Sequence, residues 1–136
     1  MIFGIGIDVL QVDRVEHVYQ KYGERFVRHL LLPGELEQLQ RTARPVRFLA
    51  MRFAAKEAIV KGMGTGFAHG VWIRDVGVVQ NSWGKPEVVY SARGAKVRDA
   101  LGIGEGHVTL TDEAGLVVAV AVLMRRAAGS APRKSD

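Results

Sequence analysis

The sequence predicts an α+β domain in which a largely antiparallel sheet packs with a long central helix, and three observations carry that expectation. The first half opens on one alternating strand and then turns helical, with the longest helical pattern running from Pro45 to about Lys61. The second half holds Val-rich runs joined in pairs by short turn segments, so hairpins link most of its strands. No repeat or linker divides the 136 residues, a length that supports one hydrophobic core.

Each element follows from its own residues. In Ile2-Phe3-Gly4-Ile5-Gly6-Ile7-Asp8, alternation sets Phe3, Ile5 and Ile7 on one face and Gly4, Gly6 and Asp8 on the other. The apolar set is expected to face the core. The bare set leaves room for a ligand or another backbone, up to a single carboxylate. Residues 13–30 read as a helix with Asp13 as N-cap and Val15, Val18, Tyr19 and Tyr22 as its stripe. Pro33-Gly34 breaks the chain before a short polar helix over 35–42. Pro45 suits the first turn of the long helix, which Gly62 and Gly64 end. Residues 71–80 and 86–91 form a hairpin around Asn81-Ser82-Trp83-Gly84-Lys85. A helix over 92–101 ends at Gly102, and 107–111 pairs with 116–124 around Asp112-Glu113-Ala114-Gly115.

Composition narrows the function. Hydrophobic residues at 48% and charged residues at 24% are those of a globular chain, which sets disorder aside. The absence of cysteine removes disulfides, thiol nucleophiles and thiolate metal sites. No apolar run approaches the roughly 18 residues of a membrane span, and the start has no basic-then-apolar signal, so a soluble cytoplasmic protein is expected. Net charge is +5, unevenly spread. Residues 125–136 carry four basic groups against one acid and read as a disordered basic tail after a domain spanning 1–124. Residues 14–52 carry eight basic groups against four acids, either a solvated helical surface or a docking face for an acidic partner.

The long helix holds the candidate chemistry. At 100° per residue, Val46, Ala50, Phe53, Ala54 and Val60 share a side with Glu57 and Lys61, while Phe48, Met51, Ala55 and Ile59 lie opposite. A helix apolar almost all round is buried, so Glu57 is expected on a core-facing stripe, where a carboxylate needs a partner. Either it forms an i,i+4 ion pair with Lys61 or it holds a metal. Gly62-Met63-Gly64-Thr65-Gly66 follows at once, and such a loop is either a glycine-rich helix cap or a set of N–H groups turned toward an anion. Glu57, Lys56, Lys61, that loop and Asp8 together suggest a site for Mg²⁺ and a phosphate-bearing ligand. The four histidines show no paired metal spacing, and no Gly-x-Ser-x-Gly elbow is present. Trp72 and Trp83 read as core or hairpin residues, and no aromatic ladder marks a nucleic-acid-binding sheet.

These residues resemble a known family. Gly4-Ile5-Gly6-Ile7-Asp8-Val9 with Asp13-Arg14-Val15 is similar to the opening motif of bacterial holo-acyl carrier protein synthases, the small trimeric class of 4′-phosphopantetheinyl transferases. Arg52-Phe53-Ala54-Ala55-Lys56-Glu57-Ala58 and Lys61-Gly62-Met63-Gly64-Thr65-Gly66 resemble their second signature, and Gly84-Lys85-Pro86 resembles their hairpin motif. The resemblance spans residues 2–124 in order. It implies the transferase fold and transfer of 4′-phosphopantetheine from coenzyme A to a serine of apo-acyl carrier protein, in fatty acid biosynthesis. Adenosine 3′,5′-bisphosphate would be the other product. It implies Asp8 and Glu57 as ligands of Mg²⁺, for which Mn²⁺ could substitute, with Lys61 completing the catalytic set. It implies Arg52, Lys56, Lys61, Gly64, Thr65 and Pro86 around coenzyme A, and Arg14, Arg25 and Arg28 against the acidic carrier protein. It also implies a homotrimer with active sites at subunit interfaces. One departure stands out: Asp112 occupies the place near the nucleotide where the family usually has histidine. Glu57, directly or through a water, would take the serine proton. The competing classes are a basic nucleic-acid-binding module, which salt-dependent binding would reveal, and a homologue specialised for another carrier.

Overall fold

The computed structural model describes residues 1–127; the rest of the basic segment expected as a tail lies outside the described residues. Strand β1 (Ile2–Gln11) leads into α1 (Val12–Tyr22), α2 (Glu24–Leu30), α3 (Pro33–Leu39) and the central α4 (Pro45–Met63). A 3-10 turn (Ile73–Asp75) precedes the hairpin of β2 (Val76–Gln80) and β3 (Pro86–Tyr90). Then come α5 (Ala92–Leu101), β4 (Ile103–Glu113) and β5 (Leu116–Arg125). The larger sheet has the order β1-β5-β4, antiparallel throughout, and β2-β3 forms a second sheet of two strands. The α+β class is as expected.

Close contact between α4 and β1 organises the core. Leu49, Ala50, Ala54, Ala55, Ala58, Ile59, Val60 and Met63 of α4 are all buried, and the helix packs against β1 and β5. A Cβ added at Gly4 would lie 1.9 Å from the Gly62 carbonyl oxygen, and one at Gly6 would lie 1.8 Å from that of Ala58. The bare face of β1 is therefore the face that meets the helix, and of the two expected occupants it takes another backbone. This corrects the expected orientation of the strand. Ile5, Ile7 and Val9 point outward and are 60%, 56% and 59% exposed. They stand in register with Val122, Val120 and Val118 of β5, which in turn pair with His107, Thr109 and Thr111 of β4. Across β1 and β5 the outer face of the sheet is an open apolar surface, bordered along β4 by the exposed polar row of His107, Thr109 and Thr111.

Other boundaries shift for identifiable reasons. The single helix expected over 13–30 breaks at Gly23, whose φ of 53° ends α1 and whose flanks start α2. Gln11, not Asp13, is the N-cap of α1, and Asp13 sits in the first turn where a negative charge suits the helix dipole. Strand β2 begins only at Val76, because the Asp75 carboxylate accepts the Trp72 N–H at 2.8 Å and curls 73–75 into a turn. The hairpin of β4 and β5 is longer than expected, and Ala114 (φ 53°) and Gly115 (φ 79°) supply its tight turn. Helix α5 matches expectation: the Ser91 hydroxyl caps the Gly94 N–H at 3.0 Å and Gly102 ends the helix in a left-handed conformation.

The free edge of β2 is closed by side chains rather than by a strand. Glu35 accepts the Val78 N–H at 2.9 Å. Gln38 both accepts the Gln80 N–H at 3.1 Å and donates to the Gln80 carbonyl at 2.9 Å. Lys56 donates to the Val76 carbonyl at 2.6 Å. Polar groups from α3 and α4 thus satisfy an edge that would otherwise invite pairing.

Candidate active site

Asp8 and Glu57 come together because glycines let β1 and α4 touch. Asp8 follows Gly6 by two residues and so shares its face, opposite the last turns of the helix. Lys61 reaches back to β1, its Nζ 3.3 Å from Asp8 Oδ1 and 3.1 Å from the Ile7 carbonyl oxygen. Glu57 lies one turn earlier on α4. Lys61 therefore pairs across to the strand, and Glu57 is half-buried rather than enclosed as expected. Burial, followed by the charge of Asp8, raises the Glu57 carboxyl above its ordinary range, and Lys61 only partly offsets this. The two carboxylates line a cavity of about 320 Å³ with Arg14, Val18, Phe26 and Phe53.

This donor set suits Mg²⁺. Among the described residues no three His, Asp or Glu side chains converge on a metal position. Mg²⁺ needs fewer, since one or two carboxylates commonly hold it together with substrate phosphates and water. The observation that fits is geometric: Asp8 and Glu57 line one cavity, and a divalent cation held there would answer both carboxylates. The glycine turn behaves differently from one of its two expectations. The N–H groups of Gly64, Thr65 and Gly66 all turn back to the Val60 carbonyl oxygen at 3.1, 3.2 and 3.2 Å. They cap the helix and do not point at a ligand. The Thr65 hydroxyl donates to the Gly66 carbonyl at 2.8 Å.

Comparison with known proteins decides the family. Residues 4–121 match the model of the 4′-phosphopantetheinyl transferase superfamily. The chain belongs to that superfamily. It is 41% identical over 124 residues to the holo-[acyl-carrier-protein] synthase of Halorhodospira halophila, covering 91% of this chain and 98% of the relative. Among solved structures, the holo-[acyl-carrier-protein] synthase of Neisseria meningitidis superposes with a TM-score of 0.86 at 36% identity, covering 92% of this chain and all of that one. The synthase of Bacillus anthracis, solved in complex with CoA (3′,5′-ADP), superposes at 0.75 with 30% identity, covering 93% and 99%.

Within this transferase, the other expected site residues divide into four groups. Lys56 and Arg52 face inward, which corrects the expectation that they line a phosphate site of this chain. Lys56 is 0% exposed, with its Nζ 2.6 Å from Glu35 Oε1. Burial pulls the lysine below its ordinary value, against the opposing pull of Glu35. Arg52 is buried beside the same carboxylate, its Nε 3.9 Å from Glu35 Oε2 and its Nη2 3.2 Å from Gln38 Oε1, and it stacks on Phe48. Asp112 is gripped by Arg47 through two contacts of 2.8 Å, so its charge is already answered. That hydrogen-bonded pair holds the Asp112 carboxyl below the usual range. Pro86 lines a separate cavity of about 550 Å³ between the hairpin and β4, with Lys85, Val88 and His107. Arg14, Arg25 and Arg28 are exposed on α1 and α2, and Arg14 lies at the rim of the Asp8–Glu57 cavity.

Sequence reasoning missed three residues that shape these surroundings: Glu35, Arg47 and Asp75. A signal existed for Glu35, since a lysine on a buried helix face demands a buried counter-charge. Trp72 was expected as a core or hairpin residue, but it is 65% exposed beside the 3-10 turn. Trp83 does sit in the hairpin turn, at 91% exposure.

Proposed function

We propose that this chain is a holo-acyl carrier protein synthase, acting in the cytoplasm in support of fatty acid biosynthesis. It transfers 4′-phosphopantetheine from coenzyme A to a serine of apo-acyl carrier protein and releases adenosine 3′,5′-bisphosphate. The observation that carries this reading is the pairing of Asp8 and Glu57 beside Lys61, in a cavity rimmed by Arg14, in a chain of this superfamily.

The chemistry follows from these side chains. The carrier serine is the nucleophile, so the enzyme needs none of its own, in keeping with a chain that has no cysteine. Glu57 takes the serine proton, directly or through an intervening water. The serine oxygen bonds to the pantetheine-side phosphorus as the bond to the nucleotide phosphate breaks. Lys61 stabilises the negative charge that gathers there. Asp8 and Glu57 would hold Mg²⁺, which when bound neutralises the diphosphate as a Lewis acid; Mn²⁺ suits the same oxygen donors. Arg14, Arg25 and Arg28 attract the acidic carrier.

The reading includes self-association as a homotrimer that shares active sites between subunits. What supports it is the outer sheet face, where Ile5, Ile7 and Val9 stand beside Val118, Val120 and Val122 with no charged side chain among those six. A contiguous apolar face of this kind usually marks an interface. Nothing in the described helices is long and apolar enough to cross a membrane.

Intact-mass measurement of an apo-carrier protein after incubation with this chain, coenzyme A and Mg²⁺ tests the assignment. The expected result is a gain of one phosphopantetheine group with release of adenosine 3′,5′-bisphosphate. No gain on several acyl carrier proteins would overturn it.

A further inference from the structure

Beyond α1 and α2, the structure carries a second cluster of exposed cationic and aromatic groups that the mechanism does not use. It is built on one buried carboxylate. Asp75 accepts the Trp72 N–H at 2.8 Å, the Ser91 hydroxyl at 2.7 Å and Arg93 Nε at 2.8 Å. Arg93 then stacks on the Trp72 ring, its guanidinium carbon 4.5 Å from the ring centre. The indole is thus held in place while most of its surface stays in water. An ordered, exposed tryptophan backed by an arginine is the composition that protein interfaces concentrate at their energetic centres.

The cluster joins the basic helices α1 and α2. Arg74, in the same 3-10 turn, donates to the Arg28 carbonyl at 3.1 Å across to the end of α2. Two residues earlier on α2, Phe26 lines the Asp8–Glu57 cavity. Arg25, Arg28, Arg74 and Arg93 are all exposed, and the one acid at the centre of the cluster, Asp75, is buried and already bonded to Arg93. With Glu24 the one exposed acid on α2 against Arg25, Arg28 and Arg74, the surface that leads away from the cavity along α2 is net cationic and ends on an apolar anchor.

We propose that Trp72, Arg74 and Arg93 extend the docking face for the acidic carrier protein, with Trp72 as its anchor. This rests on the transferase reading and names a part of the carrier interface that α1 and α2 do not supply. Charge complementarity selects the partner: an acidic surface meets the arginines, and an apolar side chain of that partner covers the free face of the indole. Asp75 acts as the positioning residue, holding the tryptophan and Arg93 before the partner arrives.

The test uses the full chain and an apo-acyl carrier protein. Trp72→Ala should raise the carrier KM by about tenfold, the scale of an interface anchor, with the coenzyme A KM within about twofold. Arg74→Glu should raise the carrier KM most at low salt and flatten its salt dependence. A binding measurement runs beside the kinetics: in a Trp83→Phe background, carrier titration should shift the fluorescence of the remaining Trp72. If wild-type transfers phosphopantetheine but both variants keep the wild-type carrier KM and Trp72 fluorescence does not respond, the extended face is wrong and the transferase reading stands. If wild-type transfers nothing, the transferase reading fails first, and this inference falls with it.

Discussion

Glu35 and Lys56 meet with neither side chain exposed, and each has a second duty to backbone: Glu35 receives the Leu32 and Val78 N–H groups, and Lys56 serves the Val76 carbonyl. A buried pair of this kind adds little net stability over apolar residues of the same shape, but losing one partner leaves a buried charge unanswered. Lys56→Met should therefore destabilise the fold by about 3–5 kcal/mol, measured by urea denaturation. Adding Glu35→Gln should recover part of that loss, because the orphaned charge goes with it. A Lys56→Met variant as stable as wild type would show that the pair does not hold α3 and β2 to α4. The same geometry explains why a lysine inside a phosphate-site signature is out of a ligand's reach. Sequence alone names the residue; only the packing of α3 shows which way it turns.

At the level of elements, the β1–α4 contact decides where the site forms. Alternation correctly separated Gly4, Gly6 and Asp8 from Phe3, Ile5 and Ile7, and it correctly put Asp8 on the bare face. Which face was inside was not legible, because the usual preference sends apolar side chains to the core. In this fold the helix comes so close that only glycines fit, and the isoleucines are left outside. Gly6→Ala tests this. Its methyl carbon would fall within 1.8 Å of backbone, not of a side chain that could move, so α4 and β1 must separate. The variant should lose transferase activity together with a clear drop in melting temperature. Wild-type activity and melting would contradict the contact. The helix boundaries were legible where a cap or a glycine marks them, as in α5. They were not where a left-handed residue, Gly23, divides a continuous periodic pattern, or where a side chain such as Asp75 bends the backbone before a strand.

Across the whole molecule, the outer sheet face and the basic helices point to two partners. The sheet face has the makings of a self-interface, and a charge placed in its middle should prevent burial. Ile7→Asp is expected to sediment as a monomer under conditions where wild type sediments as a trimer, since a carboxylate buried at an apolar interface costs several kcal/mol. A wild-type chain that stays monomeric at micromolar concentration would contradict a self-interface on this face. The fold class was legible from the order of elements, and the family from the resemblance of two motifs at their spacing. The apolar outer surface was not legible, because a strand pattern does not say whether a second layer covers it.

The claim on which the mechanism rests is that Asp8 and Glu57 together form the transfer site. Metal titration of the transfer rate for Asp8→Asn and Glu57→Gln, beside thermal melts of the same proteins, tests it most directly. Both groups sit at a cavity rather than in a sealed pair, so their neutral analogues should melt near the wild-type temperature. Removing one of two carboxylates should leave each variant nearly inactive at ordinary Mg²⁺ and partly restored by high Mg²⁺ or by Mn²⁺. If both variants keep a near-wild-type rate with unchanged metal dependence, the transfer site lies elsewhere on the molecule.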